Sequence, residues 1–388
     1  MNYVNLRMQR FISGTFFDGT RLHSNRKVFV FNAHGVLTDV LSESELDPLK
    51  IEMASGLLTP GFINAHLHLE LSHLKGCIPQ HTGLSEFALQ VVKQRTLLNP
   101  EQRLEAMRQA DLQMMEHGIV AAGDISNTQE SISVKQSSKL TYHTFIECIG
   151  LLPQQADKVF KTACDLEWAF KTAGLQSSLA AHAPYSCSQK LLNLIIQHNA
   201  LHLKPLSIHV LESDEEQNFL NGIPGTFNRL YQELGISIQE YTPPKISLNE
   251  WLFNPNKTSV PMILVHNVFA NNAWYKGLSD ARVFWAFCPN ANRYIQNRMP
   301  EVLPETRWIT ATDSLASNSS LNLLSEVNLL YAQFNPPLEA LLSSITSTPA
   351  QALQMETRFG NLKPGTACGL NEIEITPSGL IFIKKWIH

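Results

Sequence analysis

Thr59-Pro60-Gly61-Phe62-Ile63-Asn64-Ala65-His66-Leu67-His68 decides how the rest of the chain is read. The stretch is apolar up to Ala65 and then carries two histidines at i and i+2. On a strand such residues point to the same face. A buried strand that ends in two imidazoles aimed the same way can present both to one cation. An HxH triplet alone is a weak motif, often a surface accident. The apolar run before it places this pair at the end of a buried strand and raises the question of what other strands bring to that end.

Working outward, short apolar runs recur at 61–65, 119–123, 141–148, 178–181, 206–208, 262–265, 283–287 and 308–312. Between them lie segments with helical spacing, at 84–95, 102–116, 189–198 and 320–334. Strands alternating with helices predict a parallel sheet, and eight such units over about 250 residues have the dimensions of a TIM barrel. A doubly wound open sheet gives no reason for eight units, and no GxGxxG follows the first run. The runs also end in reactive residues: His66 and His68, Asp124, Glu147, His182, His209, His266, Pro289-Asn290 and Asp313. In TIM barrels the site is built at the C-terminal ends of the strands.

Both ends of the chain read differently. Strands are expected at 11–17, 27–32 and 37–41, and again at 371–375 and 380–383, with turns at Asp18-Gly19, near Gly35 and at Pro377-Ser378-Gly379. The expected fold class is therefore α/β: a (β/α)8 barrel over 59–360, with a small β-sandwich domain formed by 1–58 and 361–388.

The bulk composition narrows the function. The chain has 388 residues, 44% of them hydrophobic, and a net charge of −4. Without a basic excess it has little to attract phosphate backbones or acidic lipid, so neither nucleic acid nor membrane is expected as a partner. No apolar stretch approaches the roughly 20 residues of a membrane helix, and residues 1–14 do not read as a signal peptide. The six cysteines form no CxxC pair and read as free thiols of a cytoplasmic protein. Zinc held by thiolates is not expected.

The chemistry follows from the strand ends. His209 supplies a third nitrogen and Asp313 a carboxylate oxygen, completing a His-His-His-Asp set with a position left for water, as in a catalytic site. One divalent ion is expected, zinc first and iron second, lowering the pKa of its water to roughly 7. Glu212 stands three residues after His209 and can carry protons between water and substrate. Glu215 and Glu216, in the same acidic run, read as solvated. His266 can orient the water or stabilise charge on the substrate. The fourth strand ends in His182 and offers no bridging lysine, which predicts a single ion and makes His182 a substrate contact. Glu147 and Asn318 are further candidate substrate contacts. His73, His81, His117, His143, His198 and His202 read as structural or exposed.

These motifs resemble the amidohydrolase superfamily over essentially the whole chain. Pro60 to His68 is similar to its first-strand signature. His209-x-x-Glu212, His266 and Thr312-Asp313-Ser314-Leu315-Ala316-Ser317-Asn318 resemble the later ones, and Thr348-Pro349-Ala350 with Gly360-Asn361-Leu362-Lys363-Pro364-Gly365 resembles the return into the terminal β-domain. HxxE and His182-Ala183-Pro184-Tyr185-Ser186-Cys187-Ser188 are similar to the mononuclear deaminase branch. That resemblance implies attack of metal hydroxide on the ring carbon bearing an amino group. The residue matching Glu212 then protonates the ring nitrogen, and those matching His266 and Asp313 polarise and deprotonate the water. It also implies a carboxylate after the first strand that holds ribose hydroxyls, for which Glu86 is the nearest match. His68-Leu69-Glu70-Leu71-Ser72 resembles the aminofutalosine deaminases more than the methylthioadenosine or S-adenosylhomocysteine deaminases. Ala291 and Ala367-Cys368-Gly369-Leu370 depart from the family pattern.

The expected function is thus a hydrolytic deaminase of a small heterocyclic amine, an adenine-type nucleoside such as aminofutalosine or methylthioadenosine. A homodimer is compatible with it. The rivals are a triazine-type chlorohydrolase on the same scaffold, against which the intact HxxE speaks, and an inactive barrel serving as a binding protein. A metallo-β-lactamase-type HxHxDH site is excluded by Glu70-Leu71 where Asp-His is required.

Overall fold

The computed structural model describes residues 9–238, 241, 248–253, 260–278 and 282–387; Met1–Met8, part of the segment read as lacking a signal peptide, lie outside them. Strands β1 (Arg10–Phe17), β2 (Leu22–Phe31), β3 (Leu37–Leu41) and β4 (Ile51–Pro60) come from the N-terminal part, and β13 (Leu370–Thr376) and β14 (Gly379–Ile387) from the C-terminal part. They form one sheet in the order β14-β13-β4-β1-β2-β3. Hydrogen bonding thus joins them in a single six-stranded sheet. The reason is β4. It pairs parallel with β1 and antiparallel with β13, so it fuses the two ends of the chain side by side. One face of this sheet packs Ile12, Phe29, Phe31, Leu58, Leu370 and Trp386 into a common core.

Between these strands lie β5 (Phe62–Leu67), β6 (Ile119–Ser126), β7 (Thr141–Cys148), β8 (Gln176–Ala181), β9 (Leu206–Val210), β10 (Met262–His266), β11 (Val283–Phe287) and β12 (Trp308–Thr310). All pair in parallel, as two four-stranded sheets in the orders β5-β6-β7-β8 and β12-β11-β10-β9. Helices separate most of them, among them Pro100–Glu116, Ala156–Thr172, Gln189–Leu201 and Leu323–Phe334. Among the described residues no helix is long and apolar enough to cross a membrane.

The strands are buried on both faces, as parallel strands under helices must be. Met262 and Leu264 belong to the core shared with the helices, whereas Ile263 and Val265 belong to a second, strand-lined core. Val283, Trp285 and Phe287 alternate with Phe284 and Ala286 in the same way. Burying each of the larger aliphatic and Phe side chains among them stabilises the fold by about 1.5–3 kcal/mol.

The two sheets meet at two seams. At one, the His209 amide donates to the His182 carbonyl (2.9 Å). At the other, the Asp313 amide donates to the His66 carbonyl (3.2 Å), and the Asn64 side chain donates to Thr312 Oγ1 (2.7 Å). Residues singled out for chemistry therefore sit where the two halves join.

Candidate metal centre

Each histidine reaches the centre by a different local device. His66 is the penultimate residue of β5 and His68 follows its end, so their i, i+2 spacing puts both rings on one side. His209 lies within β9 and His266 is the last residue of β10. His266 and Asp313 both have left-handed backbones (φ 76° and 58°), as do Leu211 and Asn267 (both φ 51°). Such conformations cost of order 1–3 kcal/mol each and persist only where the surroundings impose them.

The result is a tight buried cluster. His66 Nε2 lies 3.2 Å from His209 Nε2, while Asp313 Oδ1 lies 3.7 Å from His66 Nε2 and 3.3 Å from His68 Nε2. The His266 ring centroid is 5.3 Å from that of His209 and nearly parallel to it. His209 Nδ1 faces the His182 carbonyl at 2.7 Å. A carbonyl only accepts, so Nδ1 carries the proton and Nε2 turns a lone pair toward the cluster. His266 Nδ1 is likewise paired with Asn292 Oδ1 at 2.9 Å, which leaves its Nε2 for the cleft.

Burial pushes the pKa of His66, His68, His209 and His266 down. Burial opposes ionisation of Asp313, but its bond to His66 and the neighbouring imidazoles outweigh it and hold the carboxyl below the usual range. Neutral imidazoles with one ionised carboxylate are the donor state a divalent ion requires. One ligand atom from each of His66, His68 and Asp313 lies within 4.8 Å of the others, and the same holds for His66, His209 and His266. The residues present therefore fit a zinc-type ion, with His66, His68, His209 and Asp313 able to hold it.

Glu212 faces this cluster, its Oε1 3.6 Å from His266 Nε2. Burial, with the charges of Asp313 and Glu215, pushes its carboxyl well above the usual range. Its backbone amide donates to Glu216 Oε2 at 2.8 Å. Glu216 is itself fully buried and pushed up to about 8 by burial. The solvated reading of Glu216 is thus corrected: an acidic run looks like surface, but this member is tucked under the loop as an acceptor. Glu215 is likewise engaged, accepting from the Ser85 amide at 2.8 Å.

The cleft above the cluster encloses a cavity of about 150 Å³. Glu147 and His182 line it. Glu147 accepts from Asn127 Nδ2 (2.9 Å), and His182 Nδ1 pairs with Ser186 Oγ (2.6 Å). One wall is apolar, built by Leu84, Phe87, Ala88 and Val91 of the helix Leu84–Gln94, with Arg95 at its end.

Two expected contacts fall elsewhere. Glu86 accepts from Gln90 Nε2 (2.7 Å) and lines a separate pocket beside Arg229. At about 100° per residue it stands roughly 200° from Leu84, on the opposite face of the helix. Asn318 points away from the cleft as well. Its Nδ2 donates to the Thr312 carbonyl (2.8 Å) and to Glu326 Oε1 (2.7 Å), so it clamps the loop that carries Asp313.

Three further residues support the centre, although the sequence did not single them out for a role. Ser317 Oγ donates to Asp313 Oδ2 (2.6 Å). Glu70 accepts from the amides of Asn127 (3.0 Å) and Thr128 (3.2 Å) and so orders the loop that presents Asn127. Asn292 lies in the Cys288-Pro289-Asn290-Ala291-Asn292 motif, where the spacing of a second amide from the strand end was the available signal.

Comparison with known proteins follows the same lines. Over 282 residues the chain is 27% identical to an aminodeoxyfutalosine deaminase of Nitratiruptor sp., covering 70% of this chain and 67% of that protein. The crystal structure of Helicobacter pylori aminofutalosine deaminase in complex with methylthio-coformycin matches with a TM-score of 0.80 at 23% identity, over 95% of this chain and 92% of that one. Atrazine chlorohydrolase from Arthrobacter aurescens, complexed with zinc, matches with a TM-score of 0.69 at 17% identity, over 93% and 86% of the two chains. At these identities the two structures speak for a shared fold. A model of the amidohydrolase family matches residues 57–373.

Proposed function

The chain belongs to the amidohydrolase family, and from that premise we propose that it is a hydrolytic deaminase of an adenine-type nucleoside, such as aminofutalosine or methylthioadenosine. The proposal places the catalytic unit at 59–360 and the terminal β-domain at 1–58 with 361–388. Water replaces the ring amino group, so that one C–O bond forms, one C–N bond breaks and ammonia leaves.

A divalent ion on His66, His68, His209 and Asp313, with zinc the natural choice for three nitrogens and one oxygen, would supply Lewis acidity and acidify a water. The protein's own groups do the rest. Asp313, held ionised by its imidazole neighbours, is the carboxylate placed to take a proton from the attacking water. His266, fixed by Asn292, presents Nε2 to the attacking oxygen. Glu212 gives its proton to a ring nitrogen, takes up the proton of the added hydroxyl and delivers it to the departing amine, and the proton held by Asp313 then returns to Glu212. The apolar wall of helix Leu84–Gln94 supports the ring system and shields the reaction from bulk water.

The observation that carries this reading is Glu212: a buried carboxyl biased to its protonated form and placed 3.6 Å from His266. An amine is a poor leaving group and needs a delivered proton, whereas chloride does not. The relatives named as deaminases point the same way.

Ammonia release tests the reading. The purified protein is assayed against adenosine, methylthioadenosine, aminofutalosine, guanine, cytosine and a chlorotriazine. Ammonia from adenine-type nucleosides is expected. Chloride from the triazine without ammonia from any amine would replace this reading with the chlorohydrolase, and no turnover at all would favour a binding protein.

A further inference from the structure

A cavity of about 720 Å³ lies at the opposite end of the parallel strands from the metal centre, within the size range of small-molecule pockets. Gln176 and Ser177 begin β8 there, and Lys204-Pro205 lead into β9. Pro205 stands four residues before His209. At about 3.3 Å per residue, it is about 13 Å along the strand from that histidine.

The lining holds an unmet polar group. Ser177 is only 4% exposed, yet its Oγ has no hydrogen-bond partner. A buried hydroxyl left unpaired is costly and points to a missing partner. Glu167 is the one carboxylate among the described lining residues. Both its oxygens are engaged, Oε2 with His198 Nε2 (2.7 Å) and Oε1 with Lys204 Nζ (2.6 Å). Lys204 keeps further N–H donors. Lys171 Nζ lies 5.5 Å from the centroid of the Trp168 ring and has no carboxylate partner among the described residues. Burial, and then the Lys204 charge, push the neighbouring His143 down to about 3.

Basic residues near helix C-termini offset the helix dipole. Lys171 and His198 stand in the last turns of Ala156–Thr172 and Gln189–Leu201, so that role accounts for them in part. It leaves the Ser177 hydroxyl unexplained, and also Trp168, an indole 63% exposed on the same cavity.

We propose that this cavity binds a small aromatic anion, a phosphate monoester or a carboxylate. Its ring packs on Trp168, its charge meets Lys171 and Lys204, and Ser177 Oγ donates a hydrogen bond to it. The site is separate from the cleft, so the test does not depend on which substrate the cleft takes.

Calorimetric titration of the metal-loaded protein with phenyl phosphate, benzoate, inorganic phosphate and phenol tests it. Phenyl phosphate or benzoate is expected to bind at one site per chain, more tightly than inorganic phosphate or phenol. Either order of the two aromatic anions upholds the proposal and identifies the anion. Trp168→Ala and Lys171→Met, both at exposed positions, are each expected to weaken binding by about tenfold. Ser177→Ala is expected to weaken it too, without lowering the Tm of the ligand-free protein, because it removes a hydroxyl that bonds to nothing there. Absence of binding by both aromatic anions would overturn the proposal. Inorganic phosphate binding as tightly as phenyl phosphate would overturn it as well. So would affinity that survives in both Trp168→Ala and Lys171→Met, because the anion would then sit elsewhere, such as on the ion in the cleft.

Discussion

At the level of single residues, the centre depends on side chains that hold other side chains. His266 keeps its tautomer because Nδ1 is tied to Asn292, and Asp313 is oriented by Ser317. Second partners of this kind commonly change activity or metal affinity by about 10–100-fold. Asn292→Ala is therefore expected to retain the tight ion and to lower kcat by about that factor, read from steady-state kinetics with metal content measured on the same sample. Unchanged kcat would show that His266 needs no such support. The candidate ligands stand out in the sequence because they end apolar runs in register, and Glu212 because it follows one of them by three residues. Glu86 misled because the right residue type on the right helix is still on the wrong face when its phase is off by half a turn. Glu216 misled because charge runs resemble surface, and burial of one member is decided by a backbone amide that needs an acceptor.

At the level of elements, a buried ion pair fastens the loop beyond β5. Lys135 Nζ lies 2.5 Å from Asp124 Oδ2, both side chains being fully buried, and Asp124 Oδ1 accepts from the Leu69 amide at 2.7 Å. Asp124 lies two residues before the end of β6, and its work is structural. Lys135→Met would strand the Asp124 charge and is expected to cost about 3–5 kcal/mol in denaturant unfolding. A loss below about 1 kcal/mol would mean that the pair contributes little. A second clamp titrates. Glu326 accepts from the Asn290 amide (2.8 Å) and from Asn318 Nδ2 (2.7 Å). Burial pushes it up to about 7, against the pull of those bonds. Its folded pKa lies above that of the unfolded chain. Its contribution is therefore fully present below the ordinary carboxylate range and is lost as pH rises through about 7. The Tm of the wild type should fall between pH 6 and 8, and the fall should be shallower in Glu326→Gln. Parallel slopes would assign the pH dependence to other groups.

At the scale of the whole molecule, alternation explains why so much was readable. Eight parallel strands buried on both faces must be apolar runs, and helices between them must show a 3.6-residue period. Both signals survive in a single sequence. β4 does not give such a signal. It has no regular alternation of buried and exposed residues, and it pairs with β13, more than 300 positions away in the chain. Its pairing is decided by the assembled molecule, as is the merging of both termini into one sheet. β4 ends at Pro60 and β5 starts at Phe62, with Gly61 between them. The Gly61 amide donates to the Cys368 carbonyl at 3.0 Å, and a Cβ there would lie 2.3 Å from Val120 Cγ1. The terminal sheet thus leads directly into the strand that carries His66 and His68.

The central claim is that a His-His-His-Asp ion and the Glu212 carboxyl act together to expel ammonia. The measurement that tests it most directly is kcat for ammonia release by Glu212→Gln, with metal analysis of the same preparation. Loss of a positioned proton carrier should lower turnover by at least about 10²–10⁴-fold, while one tightly bound ion per chain remains. A fully active Glu212→Gln enzyme with its ion in place would contradict the account.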